Sequence, residues 1–541
     1  MSDLVRRASD ARIARDGATW RNCTVAEAAW SLAQTSPDVP AFYLESGTVS
    51  YGELASQARR LIAGLQALGL KSGDRIAFQL PNWIEVAVID IAASALGLTV
   101  VPIVPIYRDR ELAFILADAE VRAAFIPQTY RSTDFLNMYQ TLAADLPALK
   151  ALVVLRGEAE LAAQPLVCAF DALLENDAEP QPLADVDPNS VKAILYTSGT
   201  TGSPKAVMHS HNTLTRVIDN MVERLALGET DRMLMASPVT HITGYANGIM
   251  MPFVTRTTTA LMERWDAAAA VEFINATSAT LSVGATPFLK ELLDASERAN
   301  SRLPSMRFFV CGGAAVPPQL IYRAGEVLEQ CRAFRVYGST EAPIITLGWP
   351  EDDARQLAAE TDGQVFNYEV RILDDDGVVI AQSGVAGEIA TRGPGMMLGY
   401  QDATQDASAY SDGFFLTGDI GFLTERNAIV ITDRKKDIII RGGENISAKE
   451  VEDVLHGHPL IREAAVVSMP HERLGEGVFA YLLLTSEAAA MTLEEVARFA
   501  EEAKLARQKI PEAIAILQDF PRTPSGKVRK DQLRARLVRR S

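Results

Sequence analysis

Cysteine is scarce in this chain, and the few cysteines that it has are scattered. The 541 residues include four, Cys23, Cys168, Cys311 and Cys331, and no two of them form a Cys-x-x-Cys pair. This excludes the kind of disulfide framework that stabilises small secreted domains. A reducing, cytoplasmic setting is therefore expected.

The chain also lacks a long apolar run without charges. Its most apolar window, residues 86–107, contains Asp90 and two prolines, which favours a buried helix followed by a strand over a membrane span. The polar N-terminal segment has no apolar core of the kind that secretory signals carry. No stable membrane insertion is expected.

Basic residues are fewer than acidic ones: the chain has 52 Lys and Arg against 69 Asp and Glu, and its formal net charge is −17. This balance argues against general nucleic-acid binding, which depends on neutralising phosphates. The distribution is uneven, however, because residues 521–541 carry eight basic residues against Asp531 alone. Such a basic end can attract an anionic small molecule locally.

The chain is long for a single core, so two or more domains are expected. Helix and strand patterns alternate from residue 50 onward, beginning with a capping box at Ser50 and Glu53, and this alternation indicates the α/β class. After residues 434–446 the elements become shorter and read as an α+β unit. The sequence therefore predicts a large N-terminal domain of α/β layers, residues 1–434, and a small mobile C-terminal domain, residues 435–541.

The stretch YTSGTTGSPKAV, Tyr196 to Val207, follows the apolar strand pattern VKAIL. Within the stretch, residues 198–203 are six small residues with many N–H and O–H donors, and Lys205 follows them. Glycines allow a backbone to approach an anion closely, and successive amides form an anion-binding nest. Pro204 before Lys205 distinguishes the stretch from a Walker A motif. We interpret it as a polyphosphate-binding loop, with a flexible polar turn as the alternative.

Four further motifs follow in order: YGSTE (Tyr337–Glu341), LTGD (Leu416–Asp419), DRKKDIIIRGGENISAKEVE (Asp433–Glu452) and PRTPSGKVRK (Pro521–Lys530). Together with the loop they resemble the motifs of the acyl-adenylate-forming superfamily, which includes acyl-CoA synthetases, luciferase-like enzymes and peptide-synthetase adenylation domains. The resemblance covers residues 196–530, and the first 195 residues fit it more loosely. The stretch PIYRDRELAFIL is similar to bacterial medium-chain and cyclohexanecarboxylate CoA ligases.

The resemblance implies an ATP-dependent carboxylate–CoA ligase. A carboxylate and ATP would give an acyl-adenylate and pyrophosphate, and the thiol of coenzyme A would then displace AMP. ATP, Mg²⁺, coenzyme A and a small-molecule carboxylic acid are the implied ligands. The C-terminal domain would swing between the two steps about a hinge at Lys436.

The resemblance also implies roles for particular residues. Lys527 would bridge the carboxylate and the α-phosphate, Thr340 would donate to that phosphate, Tyr337 would stack on adenine, and Asp419 and Arg434 would hold the ribose. The implied catalytic residues are Lys527, Thr340, Glu341 and His241, and the implied Mg²⁺ ligands are Glu341 and Thr200. The implied ATP or AMP site comprises Thr197, Ser198, Gly199, Thr200, Thr201, Gly202, Lys205, Gly313, Ala314, Ala315, Tyr337, Gly338, Ser339, Thr340, Asp419, Arg434 and Lys527. The implied acyl pocket comprises His241, Gly244, Tyr245, Val283, Gly312 and Gly338, and the implied coenzyme A and hinge residues are Lys436, Gly442, Gly443 and Glu444.

The segments expected around the acyl group are apolar, contain small residues and hold no lysine or arginine. A second carboxylate would be buried unpaired there, so a medium-chain, alicyclic or aryl-alkanoic monocarboxylic acid is expected. Ala206 departs from the glycine of many relatives and would be strained if its φ were positive. The histidine pairs at 209/211 and 456/458 lack neighbours at zinc-site spacing.

Three alternatives stay open at this point. One is a stand-alone adenylating enzyme that passes the acyl group to a carrier protein; because the sequence ends 14 residues after Lys527, no fused carrier domain is expected. Another is an oxygenase of the luciferase kind, and the third is a non-catalytic nucleotide-binding protein. A homodimer is equally open.

Overall fold

The computed structural model describes residues 8–158, 166–175, 183, 185–197, 204–314, 316–441, 444–485, 490–523 and 527–538. None of the helices in these ranges combines the length and the apolar character that crossing a membrane requires.

Side-chain caps set where several helices begin. The helix that starts at Tyr51 follows Ser50, whose hydroxyl accepts from the N–H of Glu53, while the Glu53 carboxylate accepts from the N–H of Ser50. The predicted capping box is therefore present. Thr492 and Glu495 form another, and each box satisfies N–H groups that the first turn leaves without intrahelical partners.

We call residues 8–434 the large lobe and residues 439–538 the small lobe. The helices of the large lobe are α1 (Asp10–Asp16), α2 (Val25–Thr35), α3 (Tyr51–Ala67), α4 (Glu85–Leu96), α5 (Asp109–Asp118), α6 (Phe135–Ala143), α7 (Phe170–Leu174), α8 (His211–Leu225), α9 (Ile242–Gly244), α10 (Met251–Thr255), α11 (Ala267–Thr277), α12 (Thr286–Arg298), α13 (Pro318–Val327), α14 (Arg355–Glu360) and α15 (Asp406–Ala409). A π-helical turn, Tyr245–Met250, joins α9 to α10.

The strands of the large lobe are β1 (Pro40–Leu44), β2 (Gly47–Ser50), β3 (Arg75–Phe78), β4 (Thr99–Pro102), β5 (Ala123–Pro127), β6 (Thr129–Tyr130), β7 (Thr133–Asp134), β8 (Ala151–Leu155), β9 (Val167–Ala169), β10 (Val191–Thr197), β11 (Lys205–Ser210), β12 (Arg232–Met235), β13 (Thr258–Leu261), β14 (Leu281–Gly284), β15 (Phe308–Gly312), β16 (Arg332–Val336), β17 (Thr346–Leu347), β18 (Gln364–Val365), β19 (Glu369–Leu373), β20 (Gly387–Arg392), β21 (Gly399–Tyr400), β22 (Tyr410–Ser411), β23 (Phe414–Leu423) and β24 (Ile429–Arg434). The small lobe consists of β25 (Ile439–Arg441), β26 (Glu444–Ile446), α16 (Ala448–His456), β27 (Ile461–His471), β28 (Gly475–Leu484), α17 (Leu493–Glu502), β29 (Ala513–Ile516) and α18 (Lys530–Val538).

Large mixed sheets with helices between them form the core, which confirms the predicted α/β class. One sheet has the order β21-β11-β10-β4-β3-β5-β8-β9, and its neighbours from β10 to β9 run parallel. The other has the order β16-β15-β14-β12-β13-β1-β2 and is parallel except at β1–β2. A third, antiparallel sheet, β19-β20-β23-β22 with β24 beside β23, carries the chain toward the small lobe.

The small lobe has its own sheet, β26-β25-β28-β27 with β29 parallel to β28, and its own apolar core that includes Val466, Val478 and Leu482. This arrangement agrees with the α+β unit read from the sequence. The large lobe's last strand ends at Arg434 and the next strand begins at Ile439. A domain boundary at residues 434–435 stays a prediction.

A buried ion pair links two elements of the large lobe. Lys192 Nζ of β10 lies 2.7 Å from Asp90 Oδ1 of α4, and neither side chain is exposed to solvent. The Tyr245 hydroxyl also donates to Asp90, so the π-helical turn joins the same network. Breaking such a pair from one side leaves an uncompensated charge in a medium of low polarity.

Replacing Asp90 with leucine should therefore lower the free energy of unfolding by about 3–5 kcal/mol, because Lys192 would be left buried without its counter-charge. The double variant Asp90→Leu/Lys192→Met should recover much of that loss. Chemical unfolding followed by circular dichroism measures both. A double variant as unstable as the single one would contradict this account.

Candidate active site

The predicted phosphate loop joins two antiparallel strands. β10 ends at Thr197 and β11 begins at Lys205, and these two residues face each other across the pair. The loop thus returns along the sheet instead of opening a helix, unlike the strand–loop–helix order of a Walker A motif. Ala206 pairs with Tyr196 and is not among the residues with positive φ, so alanine causes no strain there. The predicted ligands Ser198, Gly199, Thr200, Thr201 and Gly202 lie outside the described residues.

Tyr400 connects β11 to Glu341, the predicted Mg²⁺ ligand. Its backbone pairs with β11 at Val207, its hydroxyl donates to Glu341 Oε1 at 3.0 Å, and Lys205 Nζ lies 4.8 Å from the centre of its ring. A cation at the ring and a carboxylate at the hydroxyl are thereby both brought to one side chain. Nothing in the sequence around Tyr400 indicated this role, because it arises from strand pairing.

The YGSTE motif forms a tight turn rather than the start of a helix. A Cβ at Gly338 would lie 2.5 Å from the backbone nitrogen of Ile344, so only glycine fits that close approach. The Ser339 N–H donates to the Ala342 carbonyl at 3.1 Å. This turn places Thr340 and Glu341 together at one edge of the site.

Two hydrogen bonds to backbone carbonyls hold the Thr340–Glu341 turn. His209 Nε2 of β11 lies 2.8 Å from the Thr340 carbonyl oxygen, and the Met397 N–H donates to the Glu341 carbonyl at 2.8 Å. Burial lowers the pKa of His209 to about 4, so its ring is neutral at pH 7. The sequence pattern around His209 raised only the question of a metal ligand, because the contact with Thr340 joins residues 131 positions apart.

Mg²⁺ is compatible with the residues at this edge. No cluster of three or more His, Cys, Asp or Glu side chains that could hold a metal occurs in the described ranges. A lone carboxylate is nevertheless sufficient for Mg²⁺, because proteins commonly bind it through one or two carboxylates together with substrate phosphates. Glu341 supplies such a half-buried carboxylate.

The predicted ribose residues meet across β23 and β24, where Asp419 and Arg434 are directly paired. Arg434 Nε lies 2.8 Å from Asp419 Oδ1, and the Tyr337 hydroxyl donates to Asp419 Oδ2 at 2.8 Å. Each carboxylate oxygen has a further lone pair, so the group can still accept from ribose hydroxyls. Burial raises the pKa of Tyr337 well above its usual value, which keeps its hydroxyl a donor. Adenine stacking on Tyr337 stays a prediction, since the side chain is only 7% exposed.

A cavity of about 310 Å³ opens beside these ribose residues. It is lined by Thr417, Gly418, Asp419, Arg434, Lys435 and Lys436. Three cations and one carboxylate therefore border a space that connects the large lobe to the predicted hinge.

The predicted adenine segment follows β15. Gly313 has a φ of 81°, a left-handed conformation that favours glycine. Gly312 is small for another reason, because a Cβ there would lie 2.5 Å from the Val336 carbonyl oxygen of the adjacent strand. Ala314 comes next, and the predicted Ala315 lies outside the described residues.

Lys527 of the small lobe is electrostatically coupled to these large-lobe residues. Its backbone is fixed by Thr523, whose N–H donates to the Lys527 carbonyl at 2.7 Å and whose hydroxyl accepts from the Lys527 N–H at 3.0 Å. Burial and then the Arg434 guanidinium lower the pKa of Lys527 to about 8, and the carboxylates of Asp419 and Glu341 partly oppose this shift. The fold thus gathers Lys527 with residues more than 90 positions away.

His241, a residue of the predicted acyl pocket, is electrostatically coupled to Lys527. Its Nδ1 accepts from the Thr243 N–H at 3.4 Å at the start of α9. Burial and then the charge of Lys527 lower the pKa of His241 to about 4, so its ring is uncharged near neutral pH. Lys527 and His241 therefore lie within electrostatic reach of each other.

The predicted acyl-pocket residues begin at this histidine. Gly244 packs against the segment just before α9 so closely that a Cβ would lie 2.3 Å from the Pro238 carbonyl oxygen. Tyr245 is fully buried with its hydroxyl bound to Asp90, and Val283 is buried at β14. Lys192 Nζ lies 5.9 Å from the Tyr245 ring centre, so a lysine does stand behind this wall, although Asp90 already neutralises it.

The predicted hinge and coenzyme A residues are only partly described. Lys436 is exposed, and its carbonyl accepts from Arg534 Nη2 of α18 at 3.3 Å. Glu444 opens β26 and pairs in the sheet with Arg441, whereas Gly442 and Gly443 lie outside the described residues. The roles predicted for this segment stay predictions.

Comparison with known proteins gives family matches along most of the chain. Residues 29–401 match the model described as AMP-binding enzyme, and residues 450–527 match the AMP-binding enzyme C-terminal domain. The chain is 34% identical over 533 residues to the medium-chain fatty-acid–CoA ligase of Escherichia coli K12, covering 97% of this chain and 92% of that protein. It is 31% identical over 490 residues to the 2,3-dihydroxybenzoate-AMP ligase of Bacillus subtilis 168, covering 90% and 88%.

Among solved structures, the anthranilate CoA ligase AuaEII in complex with anthranoyl-AMP superposes with a TM-score of 0.87. The superposition covers 96% of this chain and 98% of that one, at 22% identity. This similarity shows that the two lobes share the fold of an adenylate-forming enzyme.

The ammonium group of Lys527 should lose its proton near pH 8, because the site penalises its charge. Its labelling by an amine-acylating reagent should rise through that pH, roughly two units below the usual lysine value of about 10.4. Peptide mass spectrometry across a pH series measures this, and a Lys527→Ala variant identifies the labelled peptide. Labelling that rises only in the usual lysine range would contradict the assignment.

Proposed function

We propose that this chain, which belongs to the AMP-binding enzyme family and is an AMP-forming acid–CoA ligase, activates a medium-chain, alicyclic or aryl-alkanoic monocarboxylic acid. The observation that carries the proposal is an electrostatic coupling across the two lobes. Lys527 of the small lobe is coupled to four large-lobe residues: Asp419, Arg434, Glu341 and His241. A nucleotide held by the ribose residues would have its α-phosphate within reach of a lysine that the small lobe supplies.

In the first half-reaction an oxygen of the carboxylate attacks the α-phosphorus of ATP, and the bond to pyrophosphate breaks. Lys205 and the hydroxyl-rich loop would hold the polyphosphate, and Thr340 would donate to the α-phosphate. Lys527 would stabilise charge on both reacting groups. Placing these charges in advance lowers the barrier because little reorganisation is needed when the bond forms.

Mg²⁺, held by Glu341 with Thr200 and phosphate oxygens, would supply neutralisation of the polyphosphate charge. Tyr400 would orient the Glu341 carboxylate by its hydrogen bond to Oε1. The contact between Lys205 and the Tyr400 ring supports a common phosphate and magnesium edge.

In the second half-reaction the thiol of coenzyme A attacks the acyl carbon, and AMP leaves with the bonding electrons. The small lobe would rotate about Lys436, so that Lys527 withdraws and the face with Gly442, Gly443 and Glu444 lines a thiol channel. His241, uncharged at neutral pH, would stand between the carboxylate pocket and that channel. Domain movement that assembles a second site is a known gating device.

The acyl pocket favours a substrate with one carboxylate. Lys192 Nζ lies 5.9 Å from the ring centre of the predicted wall residue Tyr245, and Asp90 already pairs with it. A second substrate carboxylate would therefore be buried without a free counter-charge. The likeness to a medium-chain fatty-acid–CoA ligase supports an apolar acid of moderate size.

A stand-alone adenylating enzyme with another acyl acceptor is the second candidate. The likeness to a protein named as a 2,3-dihydroxybenzoate-AMP ligase supports it, because that name gives AMP and not coenzyme A as the group joined to the acid. The two candidates differ only in whether coenzyme A accepts the acyl group.

A panel of acids with ATP, Mg²⁺ and coenzyme A should separate these candidates. We expect pyrophosphate release and an acyl-CoA thioester with hexanoate to decanoate, cyclohexanecarboxylate or phenylalkanoates. Dicarboxylates of matching length should react at least about 100-fold more slowly, because an unpaired buried carboxylate costs several kcal/mol. Mass spectrometry of the thioester is the measurement. Pyrophosphate release without thioester would favour the second candidate, and neither product would contradict both.

Replacing Lys527 with alanine should lower the adenylation rate by about 100- to 1,000-fold, by analogy with the loss of one preorganised charge-stabilising donor. The variant should still pass a supplied acyl-adenylate to coenzyme A. Single-turnover assays of each half-reaction measure the two rates.

Lys436→Pro provides the opposite case, because proline restricts the hinge backbone. It should slow thioester formation more than adenylation, and Lys436→Ala is the matched control that removes the charge without restricting the hinge. Equal losses in both half-reactions for Lys527→Ala, or the reverse pattern for Lys436→Pro, would count against the proposed rotation of the small lobe between the two half-reactions.

A further inference from the structure

We infer that His209 is a positioning residue that orients the Thr340–Glu341 turn toward Mg²⁺-bound ATP, an inference that rests on the proposed role of Glu341. His209 lies in β11, four residues after Lys205, and its side chain is fully buried. Its Nε2 lies 2.8 Å from the Thr340 carbonyl oxygen. A carbonyl oxygen only accepts, so Nε2 carries the proton and donates.

The other side of the ring is also engaged. With the proton on Nε2, Nδ1 is an acceptor, and the Thr213 hydroxyl lies 3.1 Å from it. The same hydroxyl oxygen accepts from the Ser210 N–H at 3.0 Å in the first turn of α8. The imidazole is therefore held in one orientation between the start of α8 and the YGSTE turn.

The turn has other anchors, but they act on different atoms. Met397 donates to the Glu341 carbonyl, and Tyr400 donates to the Glu341 carboxylate. His209 acts on the peptide group that joins Thr340 to Glu341. Rotation of that peptide would change the direction of the Glu341 side chain and of the Thr340 hydroxyl together.

All these anchors come from β11 or from the 397–401 segment beside it. Met208 of β11 accepts from Leu398 at 2.7 Å, and Ala206 accepts from Gln401 at 2.9 Å, so the 397–401 segment is tied to β11. His209 thus links the strand that carries Lys205 directly to the turn that carries Glu341. A shift of either would alter the distance between the cation and the carboxylate.

His211 provides a matched control on the same stretch of chain. It is 2% exposed, and its Nδ1 accepts from the Val25 N–H at 3.3 Å. Its described partner belongs to α2 rather than to the Glu341 turn. Replacing His211 should cost stability like any buried histidine, without a specific effect on metal-dependent binding.

The experiment measures ATP binding to the full chain by calorimetry, without any acid, in Mg²⁺ and in EDTA. We expect Glu341→Gln and His209→Leu each to weaken the Mg²⁺-dependent binding by about 10- to 100-fold, the range typical of groups that orient metal ligands. Binding in EDTA should change less than about twofold in both. His211→Leu should retain the wild-type ratio between the two conditions.

Two polar variants keep the test informative if His209→Leu does not fold. His209→Gln carries an amide donor that can reach the Thr340 carbonyl and should retain most of the Mg²⁺ effect, whereas His209→Asn is too short and should lose it. The Mg²⁺ concentration for half-maximal pyrophosphate release should rank the variants in the same order.

Each contrary outcome has a distinct meaning. An unchanged Mg²⁺ effect in Glu341→Gln would overturn the proposed role of Glu341, and with it the inference. A shift in Glu341→Gln but none in His209→Leu or His209→Asn would overturn the inference alone. An equal shift in His211→Leu would show general destabilisation and would also overturn it.

Discussion

The site depends on bringing a lysine of one lobe among the charges of the other. Lys527 is half-buried beside Arg434, and its pKa falls to about 8 because desolvation and cationic repulsion outweigh the attraction of Asp419 and Glu341. Anions would stabilise the positive charge of Lys527 in such surroundings far more than they would in water. The polyphosphate of ATP would supply them, and departure of pyrophosphate would remove most of them. If Lys527 acts in the first half-reaction as proposed, the same electrostatics would favour its withdrawal afterwards.

The second constraint on the site is the set of contacts around β11, which we call the β11 frame. This strand carries Lys205 at one end and His209 near the other, and β21 beside it carries Tyr400. Arg12 of α1 strengthens the frame, because its guanidinium donates to the carbonyls of Met396 and Met397. Helix α1 precedes the residues 29–401 that match the family model, and its guanidinium contact reaches a segment inside that range.

Much of the architecture could be predicted from local pattern. The capping box at Ser50 and Glu53, the strand before the phosphate loop and the helix-to-strand order around Asp90 all depend on residues close in sequence, and all are present. The predicted site residues Glu341, Asp419, Arg434 and Lys527 could be named because motifs carry them, and His241 because the family resemblance implies it. Tyr400, His209 and the Lys192–Asp90 pair could not, because each acts through a partner that is distant in sequence and no local pattern records such a pair.

The sequence by itself determined the α/β class, the order of the motifs and the chemical types gathered for a nucleotide and a carboxylate, since spacing and residue type suffice for these. Only the tertiary structure decided that β10 and β11, which flank the predicted phosphate loop, pair antiparallel, that Tyr337 donates to Asp419, and that Lys192 lies paired with Asp90 near Tyr245. It also decided which hydrogen bonds hold the Thr340–Glu341 turn. The reason is physical: hydrogen-bond geometry and desolvation depend on which distant segments pack together, and packing is a property of the whole fold.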